Sequence, residues 1–219
     1  MPFPAQFNLS DLNGSNGFVI NGIDLADLSG SSVSSGDING DGVDDLIIGA
    51  YRADPNGIFS GESYVVFGGS SVASSGSIDL SSLNGTNGFV INGIDEDDFS
   101  GNSVSSGDIN GDGVDDLIIG ARFADPNGFN SGESYVVFGG SSVASSGSID
   151  LSSLNGTNGF VINGIDEDDF SGNSVSSGDI NGDGVDDLII GARFADPNGF
   201  NSGESYVVFG GSSVASSGS

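Results

Sequence analysis

The chain contains no cysteine, histidine, tryptophan or lysine, and its only basic residues, Arg52, Arg122 and Arg193, face 31 acids for a formal charge of −28. Each absence removes a class of chemistry. Without cysteine there are no disulfides and no thiolate metal sites, although this leaves the compartment open. Without histidine, cysteine or lysine, Ser-His-Asp triads, Cys-His pairs and Schiff-base catalysis are excluded. Scarce positive charge argues against nucleic acid and anionic membrane surfaces as partners, because both kinds of binding begin with Lys and Arg neutralising phosphates. Such a field attracts cations or basic partners instead. No run of about 20 apolar residues is present to span a bilayer as a helix. The opening MPFPAQF lacks the charged segment and apolar core of a signal peptide, which suggests a mature chain or an excised piece. Phosphate-binding glycine fingerprints are missing too, since the Gly-rich stretches flank strands and open no helix.

What is present is repetition. The whole chain follows a period of 71 residues: 7–77, 78–148 and 149–219, after a leader of residues 1–6. The second and third copies are identical at every position, which points to a designed array or a very recent duplication. The first differs from them mainly in two loops, at Leu25, Ala26, Leu28 and Ser31 and at Tyr51, Arg52, Ile58 and Phe59. Four short strands are expected per repeat: 17–23 (GFVINGI), 32–38 (SVSSGDI), 45–50 (DLIIGA) and 63–68 (SYVVFG). The runs LII and YVVF do not alternate with polar residues, so both faces of the sheet should be covered. LSDL and LSSL form at most a turn. The fold class expected is all-β, with four-stranded antiparallel sheets packed face to face as β-propeller blades, three repeats per chain; a β-solenoid is the alternative.

Between the second and third strands lies GDINGDGVDD, repeated three times. In the first copy Asp37, Asn39, Asp41 and Asp45 occupy positions 1, 3, 5 and 9 of a nine-residue loop, and Val43 at position 7 can offer its carbonyl. A hard cation such as Ca²⁺ wants this pattern, since it takes about six to eight oxygens at roughly 2.3–2.6 Å. The alternative is three solvated Asn/Asp/Gly turns. An EF-hand is excluded because position 12 holds Ile48 in place of a bidentate acid, and a calcium β-roll would need tandem nonapeptides. Glu62, Glu133 and Glu204 are the obvious acids outside the clusters. They recur at one position before the fourth strand, which favours a structural role over a glycosidase pair, and the chain is read as a non-enzyme.

Taken together, Phe67-Gly68, Phe138-Gly139 and Phe209-Gly210, with Gly49-Ala50, Gly120-Ala121 and Gly191-Ala192 and the acidic loop in order, resemble the FG-GAP repeats of integrin α-subunit propellers. The resemblance implies a calcium-stabilised propeller, usually extracellular or at the cell surface and involved in adhesion or recognition. It implies as ligands Asp37, Asn39, Asp41, Val43 and Asp45; Asp108, Asn110, Asp112, Val114 and Asp116; and Asp179, Asn181, Asp183, Val185 and Asp187, one Ca²⁺ per repeat. The chain departs from the family where a proline is expected after Gly-Ala, at Tyr51, Arg122 and Arg193.

The same resemblance places GFVINGI as the outer strand of the preceding blade. The chain then opens on an outer strand and closes on three inner ones. Three blades do not readily close a ring, so two chains are expected to join head to tail by exchanging 17–23, giving a six-bladed homodimer; an open monomer is the alternative. The ends of the blades opposite the acidic loops carry Asp97, Asp98, Phe99, Arg122 and Phe123. These are candidates for binding a glycan or a basic protein, unless the phenylalanines fold back between blades.

Overall fold

The computed structural model describes residues 5–70, 72 and 76–211. Residues 1–4 of the leader and 212–219 at the end of the third repeat lie outside the described residues. The strands run β1 (Val19–Asn21), β2 (Ser32–Gly36), β3 (Asp45–Ala50), β4 (Glu62–Val66), β5 (Ser77–Asp79), β6 (Gly88–Asn92), β7 (Ser103–Gly107), β8 (Asp116–Ala121), β9 (Glu133–Val137), β10 (Ser148–Asp150), β11 (Gly159–Asn163), β12 (Ser174–Gly178), β13 (Asp187–Ala192) and β14 (Glu204–Val208). The LSD and LSS segments close as 3-10 turns after β5 and β10 and before β1, and a four-residue helix, Ser141–Ala144, follows β9.

Antiparallel pairing builds the blades. In the first, β2, β3 and β4 of one repeat are joined by β6 of the next, with Tyr64 opposite Val90 and Glu62 opposite Asn92. In the second, β7, β8 and β9 are joined by β11. Among the described residues the third contains β12, β13 and β14 and no fourth strand. β1 stands apart, paired only with β5. That pairing is parallel, as is β10 with β6, so the first blade has five strands where four are expected. The fifth is three residues long and polar on both sides of Ile78 or Ile149, too short to give a period in sequence.

The core lies between blades, not within any one of them. Successive residues of a strand face opposite sides, so Ile47 joins the cluster shared with Val104, Leu117, Ile119 and Tyr135 of the second blade, while Ile48 joins Tyr64 and Val66 on the other side, where Ile20 of β1 and Ile78 of β5 pack. Ile109, Ile118 and Val136 repeat the arrangement with Val175, Leu188 and Ile190 of the third blade. Each buried aliphatic side chain of this size contributes about 1.5–3 kcal/mol relative to exposure. Because a blade must be covered on both faces, identical residues have different fates along the array. Val33 is 68% exposed where Val104 is 5% and Val175 is 7%; Ile180 is 58% exposed where Ile38 and Ile109 are each 1%. The first blade lacks a preceding neighbour for β2 and the third lacks a following one.

Candidate functional site

Each acidic loop connects an inner strand to the next strand of its blade, and the side chains that sequence singles out close it. Asp37 Oδ1 accepts from the N–H groups of Gly40 and Asp41, and Oδ2 from Gly42, at 2.8–2.9 Å. Asn39 Oδ1 accepts from Asp41 N–H, and Asp41 Oδ1 from Val43 N–H. Asp45, fully buried at the start of β3, accepts from Ile38, Asn39 and Gly68. The second and third loops repeat this around Asp108, Asn110, Asp112 and Asp116, and around Asp179, Asn181, Asp183 and Asp187. The Phe-Gly dipeptide belongs to the same unit: a Cβ at Gly68 would stand 2.2 Å from Asp44 O, so only glycine lets its N–H reach Asp45.

In this arrangement the carboxylates are turned onto the loop's own amides. Among the described residues no group of three or more acids is gathered closely enough to hold a metal ion. The donor chemistry nevertheless fits a hard cation. All the candidate donors are oxygens, and each loop brings three carboxylates at odd positions, Asp37, Asp41 and Asp45 in the first. The three arginines follow β3, β8 and β13, at the far end of the blades from the loops. Burial pushes the Asp45 carboxyl up to about 6 and that of Asp116 up to about 7, against the pull of the N–H donors from Gly68 and Gly139. A buried carboxylate with only neutral donors favours its proton, and a bound cation reverses that preference. If Ca²⁺ binds, Asp37, Asn39, Asp41, Asp45 and the Val43 carbonyl would hold it, with their counterparts in the other repeats, and it would supply positive charge to a set of acids that otherwise repel.

A contact that sequence reading missed links the loops of adjacent blades. Asp115, at position 8, donates its N–H to Asp37 O at 3.2 Å and accepts from Asp37 N–H at 2.9 Å through Oδ2. The signal was an acid at that position in all three loops: Asp44, Asp115 and Asp186.

At the opposite end, the loop before each inner strand meets the loop after the third strand of the preceding repeat. Asp97 N–H donates to Ile58 O at 2.8 Å and Phe99 N–H to Phe59 O at 3.0 Å. Phe99 takes a positive φ of 56°, which for a bulky residue costs about 1–2 kcal/mol. This turns its ring into a row that crosses the blades: Tyr51, Phe99, Phe123, Phe170 and Phe194, with centroids 4.9–5.6 Å apart and edge-to-face angles. Arg122 lies 4.9 Å from the Phe123 ring centroid and Arg193 4.4 Å from that of Phe194. The structure therefore brings Phe99, Arg122 and Phe123 together, but packed on one another between blades. Asp98 is buried and Asp97 is exposed. Burial, followed by repulsion from Asp95 and Glu133, pushes the Asp98 carboxyl up to about 7. Phe129 and Phe200, 61% and 89% exposed, are among the apolar side chains this face presents, with Leu25, Leu28 and Ile58 of the first repeat. Glu62, Glu133 and Glu204 each accept a hydrogen bond from the tyrosine two residues on, Tyr64, Tyr135 and Tyr206, which joins them to the sheet and not to one another.

Fold and loops together define a tandem array of β-propeller blades, each with an Asp/Asn loop between its two innermost strands. The FG-GAP repeat family model matches residues 29–66, 100–137 and 171–208, more than half of the chain and in each case the three inner strands with their loop. The chain belongs to the FG-GAP repeat family. It is similar to integrin alpha-PS2 of Drosophila melanogaster, with 29% identity over 78% of this chain and 11% of that protein. It is also similar to the phosphatidylinositol-glycan-specific phospholipase D of Bos taurus, with 30% identity over 85% of this chain and 21% of that protein. The chain thus spans a small part of either relative. No helix among the described residues is long and apolar enough to cross a membrane.

Proposed function

We propose that the chain is a calcium-binding, non-catalytic propeller scaffold that completes its ring with a second copy of itself. The observation that carries this reading is the exposure of Val33 at one end of the array and Ile180 at the other, against the burial of the same residues at both internal junctions. Apolar side chains left in water at both ends, where their equivalents are buried by a neighbouring blade, are the mark of an unfilled interface. The two faces are complementary, since their equivalents already pack together twice within the chain. The missing strand is specified as well. Among the described residues β14 has no partner on its outer side, and β1 of the second copy matches it in the register of the complete blades: Tyr206 opposite Val19 and Glu204 opposite Asn21, as Tyr64 faces Val90 and Glu62 faces Asn92. An apolar cavity lined by Ile162, Ile190, Tyr206 and Val208 receives the incoming side chains. One Ca²⁺ sits in each acidic loop, three per chain, and holds the hairpins together. The test is calcium titration of metal-free protein with the solution mass recorded at each step: three sites per chain and a dimer support the reading, and no calcium uptake refutes the metal half of it.

A second reading rests on exposed apolar side chains beside exposed acids: Ile58 beside Asp97 and Phe129 beside Asp168, the N–H of each acid donating to the carbonyl of its apolar neighbour at 2.8 Å, with Phe200 exposed in the third repeat. In it the chain is an extracellular recognition module that binds a glycan or a basic protein through the face opposite the acidic loops, in keeping with an integrin relative. Saturable binding lost when the exposed Asp97 and Asp168 become serine supports it, and a broad glycan and protein screen without a hit leaves the scaffold alone.

A further inference from the structure

We propose that the third acidic loop, Asp179–Asp187, is a composite site, completed by Val43, Asp44 and Gly69 of a second copy, so that calcium in this loop and assembly reinforce each other. The inference rests on the reading of the chain as a calcium-binding, self-completing ring. Its basis is how the first two loops are held. Asp37 has its N–H and C=O both bonded to Asp115 of the next blade. Ile38 O accepts from Gly140 N–H at 2.8 Å, just beyond the Phe-Gly of that blade. Gly40 lies so close to Val114 that an added Cβ would be 3.2 Å from its Cγ2. The second loop is held likewise: Asp186 N–H donates to Asp108 O at 3.1 Å, Gly211 N–H to Ile109 O at 2.7 Å, and Val185 stands 3.2 Å from the same point at Gly111.

The third loop has the same sequence and no following blade. Nothing lies within 4 Å of the equivalent point at Gly182, and Ile180 is 58% exposed. Across the array, Asp44 and Val43 are exposed in the first blade, with no preceding loop to hold. Head-to-tail closure brings these halves together and gives Asp179 the backbone partners that Asp37 and Asp108 already have. The Asp179 side chain is already held by Gly182, Asp183 and Gly184 of its own loop, and the assembly adds the backbone anchoring that this position otherwise lacks. The same closure sets Asp44 against the carboxylates of Asp179, Asp183 and Asp187, a repulsion that a divalent cation offsets. Binding in loop three and docking of the second copy are therefore one linked equilibrium, and each strengthens the other by the same factor.

The experiment is sedimentation equilibrium of the full chain in calcium and in excess chelator, for wild type, Asp183→Asn, Asp112→Asn, Asp44→Ala and Asp44→Asn. Asp183 and Asp112 hold the same position in identical loops, so they differ only in what lies beyond them. Calcium should tighten wild-type dimerisation about tenfold or more, within the range usual for coupled sites. Asp183→Asn should weaken the calcium-loaded dimer at least about tenfold more than Asp112→Asn. Asp44→Ala, at an exposed position that leaves the single chain intact, should match Asp183→Asn, and Asp44→Asn, which keeps an acceptor oxygen, should recover part of the loss. Equal effects of the two loop variants, or no effect of Asp44→Ala, would overturn the proposal. A dimer indifferent to calcium would overturn it alone, whereas a wild-type monomer in calcium would overturn it together with the assembly reading.

Discussion

Replacing Gly191 by alanine should leave the single chain folded and prevent its closure into a ring. The glycine of each Gly-Ala pair sits on the third strand from the blade's outer edge, at the closest approach of neighbouring blades. A Cβ at Gly49 would lie 2.1 Å from Gly101 O, and one at Gly120 would lie 2.1 Å from Gly172 O, both well inside the 3.0 Å that real Cβ atoms essentially never breach. At Gly191 the nearest atom is Ser174 Cβ at 3.6 Å, an ordinary contact, because no blade follows. Overpacking of this kind costs about 1–3 kcal/mol per site. Gly120→Ala, inside the chain, should therefore lower the melting temperature by roughly 2–12 °C. Gly191→Ala should leave the monomer's stability unchanged or raise it by about 0.4–1 kcal/mol, since alanine restricts the unfolded chain. In a two-chain ring the clash falls on Gly30 of the second copy, and it occurs at both junctions. The cost is then about 2–6 kcal/mol, which weakens dimerisation roughly 30-fold to 10⁴-fold. Thermal melts and sedimentation of the two variants read both halves. A Gly191→Ala chain that dimerises like wild type, or one that melts as low as Gly120→Ala, would refute the reasoning.

Further outcomes can be checked independently. Chelation should lower the melting temperature, because a ligand at about 100 times its dissociation constant stabilises by roughly 2.7 kcal/mol per site; unchanged melting in excess chelator would contradict calcium as a stabiliser. Asp98, held up to about 7 by burial, carries stability in its protonated form. That contribution is complete below its unfolded value of about 3.9 and is lost as pH rises through about 7. At fixed calcium, Asp98→Asn should therefore flatten the fall in melting temperature between pH 5 and 8, and equal slopes for wild type and variant would count against it. In this cysteine-free chain, Ser205→Cys with Ile20→Cys should oxidise to a cross-linked dimer on a non-reducing gel, since the exchange register sets these residues opposite each other at a spacing suited to a disulfide. Monomer bands alone would reject that register.

Sequence was most informative where local chemistry decides the outcome. The alternation of DLIIGA and ESYVV with turn residues marks the strands, and the Asn/Asp/Gly spacing marks loops whose side chains do close on their own backbone. The two dipeptides were legible as motifs, and the structure supplies their physics: Gly68 lets an N–H reach Asp45, and Gly49 lets blades approach. What was not legible depends on neighbours. Val33, Val104 and Val175 lie in the same SVSSG strand sequence, yet Val33 is exposed and the other two are buried, because position in the array decides whether a blade covers them. Asp98 looks like part of an exposed acidic run, yet it is buried, with its carbonyl accepting from Phe123 N–H of the aromatic row. The bond between Asp115 and Asp37 joins residues 78 positions apart, and the recurring acid at position 8 of each loop does not say which residue it meets.

Solution mass at micromolar concentration in calcium tests the assembly most directly. The account predicts a particle of twice the 21.8 kDa chain mass, with two first blades, two third blades and no unpaired β14 edge. A stable monomer under those conditions, with Val33 and Ile180 left in water, would contradict it.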